Sequence, residues 1–257
     1  MVRLVSGIVL AAAAIGAVLF LPIGALRVVA VAIAGVTAHE YLRIVGTRGT
    51  PRQVVGIAAT VALCAWIAWG RALDPVVLLL AGLGWVAADV LATGRPIQAV
   101  AADVIAPLYV GVPLGMLVMV HVAGGSSATL LVVALVIVSD SAQYYSGRMM
   151  GRHALAPAIS PKKTIEGAVG GLVSGTAFLV LAAPWVFPAM SLRARIGVGA
   201  AAVVLGICGD LFESRLKRAA GMKDSSSLIP GHGGALDRLD ALLFVVPAFY
   251  LYVRGVE

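Results

Sequence analysis

Nine apolar stretches, each close to a bilayer's thickness in helical length, follow one another along this chain. They run at about 4–21, 24–45, 53–70, 75–92, 100–121, 128–146, 165–188, 196–213 and 239–254. A helix needs about 20 apolar residues to cross about 30 Å of hydrocarbon. Helix breakers fall between the stretches: Pro22-Ile23-Gly24, Gly49-Thr50-Pro51, Asp74-Pro75, Gly94-Arg95-Pro96, Gly124-Gly125-Ser126, Pro157 to Pro161, and Pro188. The first two stretches also admit one long re-entrant segment kinked at Pro22. Composition agrees with the pattern, with 61% hydrophobic and 12% charged residues, against about 25% charged in a soluble domain. The expected fold is all-α, a polytopic integral membrane bundle of about nine helices. Residues 1–100 hold about four of them. Residues 101–257 hold the rest, with polar loops at 147–163 and 214–238.

The N-terminus, with Arg3 before an apolar core and small residues, has the cast of a signal peptide. More apolar spans follow at once, which favours a retained first helix. Cys64 and Cys208 both lie inside apolar runs and read as small fillers rather than a disulfide or metal pair. The net charge is +7, and the charges sit in short loops. That points to membrane topology and anionic substrates, not to nucleic acid. Threading nine spans places fourteen of the 19 Lys and Arg residues on one face, and Arg27, Arg71, Arg193, Arg195 and Arg254 on the other. The positive-inside rule makes the richer face cytoplasmic, with the N-terminus in and the C-terminus out. Small residues recur every fourth position at Gly111 and Gly115 and at Gly167, Gly171 and Gly175. Close packing inside the bundle is their default use, and a homodimer seam is the alternative.

The densest polar stretch is Ser214–Asp240, SRLKRAAGMKDSSSLIPGHGGALDRLD. Charge beside membrane-type sequence is costly unless paired, hydrated or bound to ligand. Asp210, Ser214, Lys217 and Arg218 stand at i, i+4, i+7 and i+8, one face of a helix. Lys223 and Asp224 lead into Pro230-Gly231-His232-Gly233-Gly234, whose glycines permit a tight backbone with N–H groups turned to an anion. Asp237 and Asp240 then open the last helix, where acids suit the positive end of the dipole, and Arg238 lies between them. A second cluster runs from Asp140 through Gln143, Tyr144, Gly147 and Arg148 to Ser160-Pro-Lys-Lys-Thr-Ile-Glu-Gly167. Ser160, Lys162, Lys163 and Thr164 are placed to gather phosphate oxygens at a helix start. Glu166 is either a capping carboxylate or a partner to a basic residue. Asp89 and Asp103 read as structural, Glu40 is open between structure and site, and His121 reads as interfacial. The chain has no GxxxxGK[ST] and no HExxH.

The run Ser214-x2-Lys217-Arg218-x4-Lys223-Asp224-x5-Pro230-Gly231-His232-Gly233-Gly234-x2-Asp237-Arg238-x-Asp240 resembles the C-terminal motif of the phosphatidate cytidylyltransferases, the CDP-diacylglycerol synthases. Ile159-Ser-Pro-Lys-Lys-Thr-x-Glu-Gly167, Asp140-x3-Tyr144-x2-Gly147-Arg148 and Pro107-Leu-Tyr-Val-Gly111 are similar to that family too. Gln143 and Ile165 stand where an alanine and an aromatic are expected. The resemblance implies that CTP and phosphatidic acid react to give CDP-diacylglycerol and pyrophosphate, at the cytoplasmic face of the plasma (inner) membrane. It implies Mg²⁺ on Asp210 and Asp237, with room for a second, monovalent or divalent, cation. It implies catalytic roles for Asp210, Lys217, Arg218, Lys223, Asp224, His232, Asp237 and Asp240. Phosphate binding would fall to Ser160, Lys162, Lys163, Thr164, Ser214, Gly233, Gly234 and Arg238, with Asp140, Tyr144 and Glu166 further round the pocket. The alternatives are a CTP-dependent transferase or kinase acting on another lipid phosphate or a polyprenol, and a lipid or ion transporter.

Overall fold

Backbone N–H and C=O groups have no water to bond inside a bilayer, so each apolar stretch satisfies them as a helix. The computed structural model describes residues 2–46, 51–71, 74–229, 231 and 233–255, with backbone only at 2–5 and 75. In chain order the elements are α1 (Val2–Phe20), α2 (Ile23–Ile44), α3 (Pro51–Ala68), α4 (Pro75–Thr93), α5 (Ile97–Ala106) and α6 (Val112–Met150). A hairpin of β1 (Ala154–Ala156) and β2 (Ser160–Thr164) follows, then α7 (Ile165–Ala182), α8 (Leu192–Ala219) and α9 (Leu236–Arg254). Local chemistry marks the starts. Asp74 accepts from Val76 N at 2.7 Å, Thr164 from Gly167 N at 3.0 Å and Ser191 from Ala194 N at 3.2 Å.

Six described helical segments are long and apolar enough to cross a membrane, and the expected count of nine is not reached on that measure. One reason is that Ile97–Met150 forms one 54-residue helical run. Straight, it would reach about 80 Å, far beyond a bilayer. It turns instead at Gly125, whose φ of 69° and ψ of −169° interrupt the helix at the predicted breaker. A π-helical turn at Pro107–Gly111 joins α5 to α6. Pro22 separates α1 from α2 as distinct helices.

The glycine stripes pack inside the bundle. A Cβ at Gly111 would lie 2.7 Å from Thr60 O, and one at Gly115 would lie 2.9 Å from Cys64 O, so α6 presses on α3. Gly167, Gly171 and Gly175 face Gln143 and Ser139 of α6 and Val203 of α8 in the same way. Two apolar cores result. One joins α6, α7, α8 and α9 around Leu135, Leu179 and Phe249, and the other joins α2, α3, α8 and α9 around Tyr41, Tyr109 and Leu236.

The charges sort to two ends. Arg27 stacks over Trp69 at 5.5 Å and Arg71 over Trp66 at 5.4 Å, the aromatic girdle of one membrane boundary. At the other end Arg52 meets Asp89, Lys163 of the hairpin meets Asp210 of α8, and Ser225 of the α8–α9 connection meets Glu40 of α2. Among the described residues the expectation of a wholly α fold is amended by the short hairpin, paired Ala154 to Thr164 and Ala156 to Ser160, and by an isolated bridge between Ile229 and Gly233. The expected loops also shrink, because α6 continues to Met150 and α8 to Ala219.

Candidate active site

A cavity of about 540 Å³ opens at this end, between the last turns of α6 and α8, the hairpin and the first turn of α9. From α6 come Asp140, Tyr144 and Arg148. Lys162, Lys163 and Thr164 come from β2, and Asp210, Glu213 and Lys217 from α8. Asp224, Asp237, Arg238 and Asp240 complete the wall. Segments remote in sequence thus bring eleven of the expected residues around one space.

Two ion pairs dominate it. Lys163 Nζ lies 2.6 Å from Asp210 Oδ2, tying β2 to α8. Lys217 Nζ lies 2.5 Å from Asp237 Oδ1, tying α8 to α9, and also pairs with Glu213 one helical turn back. Asp237 Oδ2 accepts from Ser225 N at 2.9 Å, Ser225 Oγ at 2.8 Å and Gly234 N at 2.7 Å. One oxygen of Asp237 is therefore fixed by two backbone N–H groups with the Ser225 hydroxyl beside them, and the other is held by an ammonium on a flexible four-carbon stem. Asp210 Oδ1 accepts from Ser214 Oγ at 3.2 Å. Asp140 and Asp240 line the same cavity as Asp210. Among the described residues neither forms a salt bridge.

Several expected residues stand elsewhere. Arg218 donates to Met222 O at 3.3 Å and closes the end of α8. Lys223 is exposed off the cavity, and Ser160 sits at the far end of the hairpin. Ser214 serves Asp210 rather than the open space. Gly234 does not offer its N–H to an anion, because Asp237 takes it. Gly233, at φ +81°, folds directly against the Asp237 carboxylate, where a side chain would collide. Glu166 leaves the pocket: it accepts from Arg152 N at 3.1 Å and His153 N at 3.3 Å and pairs with His153 Nδ1 at 2.6 Å. That makes it the partner of a basic residue, fastening the start of the hairpin. His232 lies outside the described residues.

Glu213 was missed by sequence reasoning. It is 1% exposed, and the available signal was its i,i+4 spacing from Lys217.

The donor set suits a hard divalent cation, since carboxylate oxygens from α6, α8 and α9 share one wall. Among the described residues no three His, Cys, Asp or Glu close on a single point as a ready cluster. The two carboxylates expected to take metal, Asp210 and Asp237, each carry a lysine ammonium.

A family model described as the cytidylyltransferase family matches residues 1–256. The chain belongs to the cytidylyltransferase family. Among curated proteins it is similar to a phosphatidate cytidylyltransferase of Thermotoga maritima, 36% identical over 165 residues, covering 62% of this chain and 61% of that protein. A phosphatidate cytidylyltransferase of Haemophilus influenzae is 45% identical over 133 residues, 48% of this chain and 44% of that one. The uncharacterized protein YnbB of Escherichia coli is 39% identical over 139 residues, 54% and 46% respectively. The chain thus spans about half the length of the curated relatives it matches.

Proposed function

We propose that this cytidylyltransferase-family chain converts CTP and phosphatidic acid to CDP-diacylglycerol and pyrophosphate. The observation that carries the reading is the pair of carboxylate–ammonium contacts, Lys163 with Asp210 and Lys217 with Asp237, facing one cavity. The names of the similar Thermotoga and Haemophilus proteins support it.

In this reading a phosphate oxygen of the lipid attacks the α-phosphorus of CTP, the bond to the bridging oxygen breaks, and pyrophosphate leaves. The lipid phosphate is already anionic, so a strong base is not required. Two anions must meet, and the chain's task is to screen and align them. Lys163 and Lys217 turn from their carboxylates to the triphosphate, and Lys162, Arg148 and Arg238 add positive charge at the rim. Asp210 and Asp237 Oδ1, released by those lysines, would hold Mg²⁺. When bound, that ion neutralises phosphate charge and polarises the α-phosphoryl group. Asp140 and Asp240, with no salt bridge among the described residues, are where a second cation would sit. Glu213, the second partner of Lys217, keeps that ammonium at the cavity when it leaves Asp237.

The site then faces the cytoplasm of a plasma (inner) membrane, with N-terminus in and C-terminus out, in keeping with the excess of Lys and Arg at its end of the bundle.

Purified protein incubated with phosphatidic acid and CTP labelled at the α-phosphate should yield labelled CDP-diacylglycerol, and chelation of Mg²⁺ should stop it. Label entering lipid only from the γ-phosphate would make the chain a kinase. Lipid or ion flux without nucleotide turnover would make it a transporter.

A further inference from the structure

Glu40, near the end of α2, is 2% exposed and forms no salt bridge among the described residues. A buried carboxylate is costly unless donors surround it. Four donors do, and all come from the far side of the sequence. Ser225 Oγ donates to Oε2 at 3.0 Å and Ser226 Oγ to Oε1 at 2.6 Å. Ala235 N donates to Oε1 at 3.1 Å and Leu236 N to Oε2 at 2.8 Å. Those two amides open α9, so the charge rests on the positive end of the helix that bears Asp237 and Asp240.

Ser225 links this carboxylate to the reaction cavity. It is fully buried, and the same hydroxyl lies 2.8 Å from Asp237 Oδ2. With one proton to give, it donates to one carboxylate at a time, while the Ser225 backbone N–H donates to Asp237 Oδ2 at 2.9 Å, so this one residue joins the two acids. Gly234 completes the joint, since a Cβ there would strike both Ser225 Oγ and the Glu40 carboxylate. Glu40 itself lines no part of the reaction cavity. It borders a second one, with Arg43 and Ser226, on the outer side of the 224–229 segment.

We propose that Glu40 is a positioning residue: from the N-terminal half it clamps the segment 225–236 and, through the Ser225 hydroxyl, sets the Asp237 carboxylate toward Lys217 and the cavity. The proposal rests on the reading of that cavity as a cytidylyl-transfer site.

Glu40→Gln tests it. The volume is kept, but each carboxylate oxygen accepts a backbone N–H, so the amide must set its NH₂ against Ala235 N or Leu236 N whichever way it turns. Turnover of CTP and phosphatidic acid should fall about tenfold or more in kcat, with KM for CTP changed far less. Backbone amides of 224–236 should exchange hydrogen about tenfold faster or more, with α7 unaffected. Parental kcat in the folded protein overturns the proposal, as does parental exchange in 224–236. In the double variant with Ser225→Ala, the loss should be smaller than the sum of the two single losses, and additive losses overturn the route through Ser225. If Glu40→Gln does not fold, Ser225→Ala and Ser226→Ala each take one hydroxyl away from Glu40 and should lower kcat about two- to tenfold; unchanged kcat in both overturns it. If the parental protein does not turn over these substrates, the cytidylyl-transfer reading fails alone, and hydrogen exchange still decides whether Glu40 holds the segment.

Discussion

Two charged clusters sit at the same end of this bundle, and they are built on different principles. In the N-terminal half Arg95 Nη1 lies 2.8 Å from both Asp89 and Asp103, and Arg52 reaches Asp89 at 3.4 Å. Asp103 is 4% exposed at its side chain, and the neighbouring Tyr41 hydroxyl donates to Ala102 O at 2.9 Å. This cluster joins the α4–α5 turn to α3 and lines no part of the reaction cavity. The cluster of α8 and α9 has ion pairs of similar length, but Lys163, Asp210, Lys217 and Asp237 line the reaction cavity. Its anions are paired by lysines, whose single charged heads can change partner, rather than by a guanidinium gripping two acids. At a membrane edge the presence of ion pairs does not separate structure from chemistry. Access to a cavity and freedom to exchange partners do.

That contrast can be broken by experiment. Asp237→Asn preserves shape and removes charge, so kcat should fall about 10²–10³-fold while the protein stays folded in detergent; near-parental turnover would erase the distinction. Lys163→Ala should lower kcat about 10–10²-fold with little change in thermal midpoint, measured on the same preparations. Arg95→Gln should do the reverse. Stability should fall by about 2–4 kcal/mol, because the buried Asp103 loses its cation and Asp89 keeps only Arg52, while kcat of the surviving fold stays parental. A matching loss in kcat would mean the two clusters act as one. Arg254→Ala, at the opposite end beside Arg71, should leave both turnover and unfolding within error, and any loss of turnover there would overturn the division of charge between the ends.

Much of the candidate site was legible because its members fall into short runs. Lys162-Lys163-Thr164, Asp210 to Lys217, and Asp237 to Asp240 each carry spacing that a helix or strand start turns to one side. Other residues were not. Glu166 belongs to a phosphate-like run but faces His153, because the hairpin folds back over the first turn of α7. Gly234 looked like an anion-binding amide, and the nearer carboxylate of Asp237 takes it. Glu213 hid within an apolar helix, and its importance lies in being buried beside Lys217.

Hydropathy and breakers along the chain were enough to settle a helical membrane protein, because hydrocarbon leaves the backbone one means of satisfying its own polar groups. The glycine spacings likewise foretold close helix contacts, since small residues at every fourth position admit a neighbouring backbone wherever it comes from. Which helices meet is another matter. Glu40 reaches Ser225 across 185 residues, and Asp140, Lys163 and Asp210 share a wall only because α6, β2 and α8 converge. Such contacts depend on packing between distant segments, and no local pattern encodes the partner of a buried carboxylate.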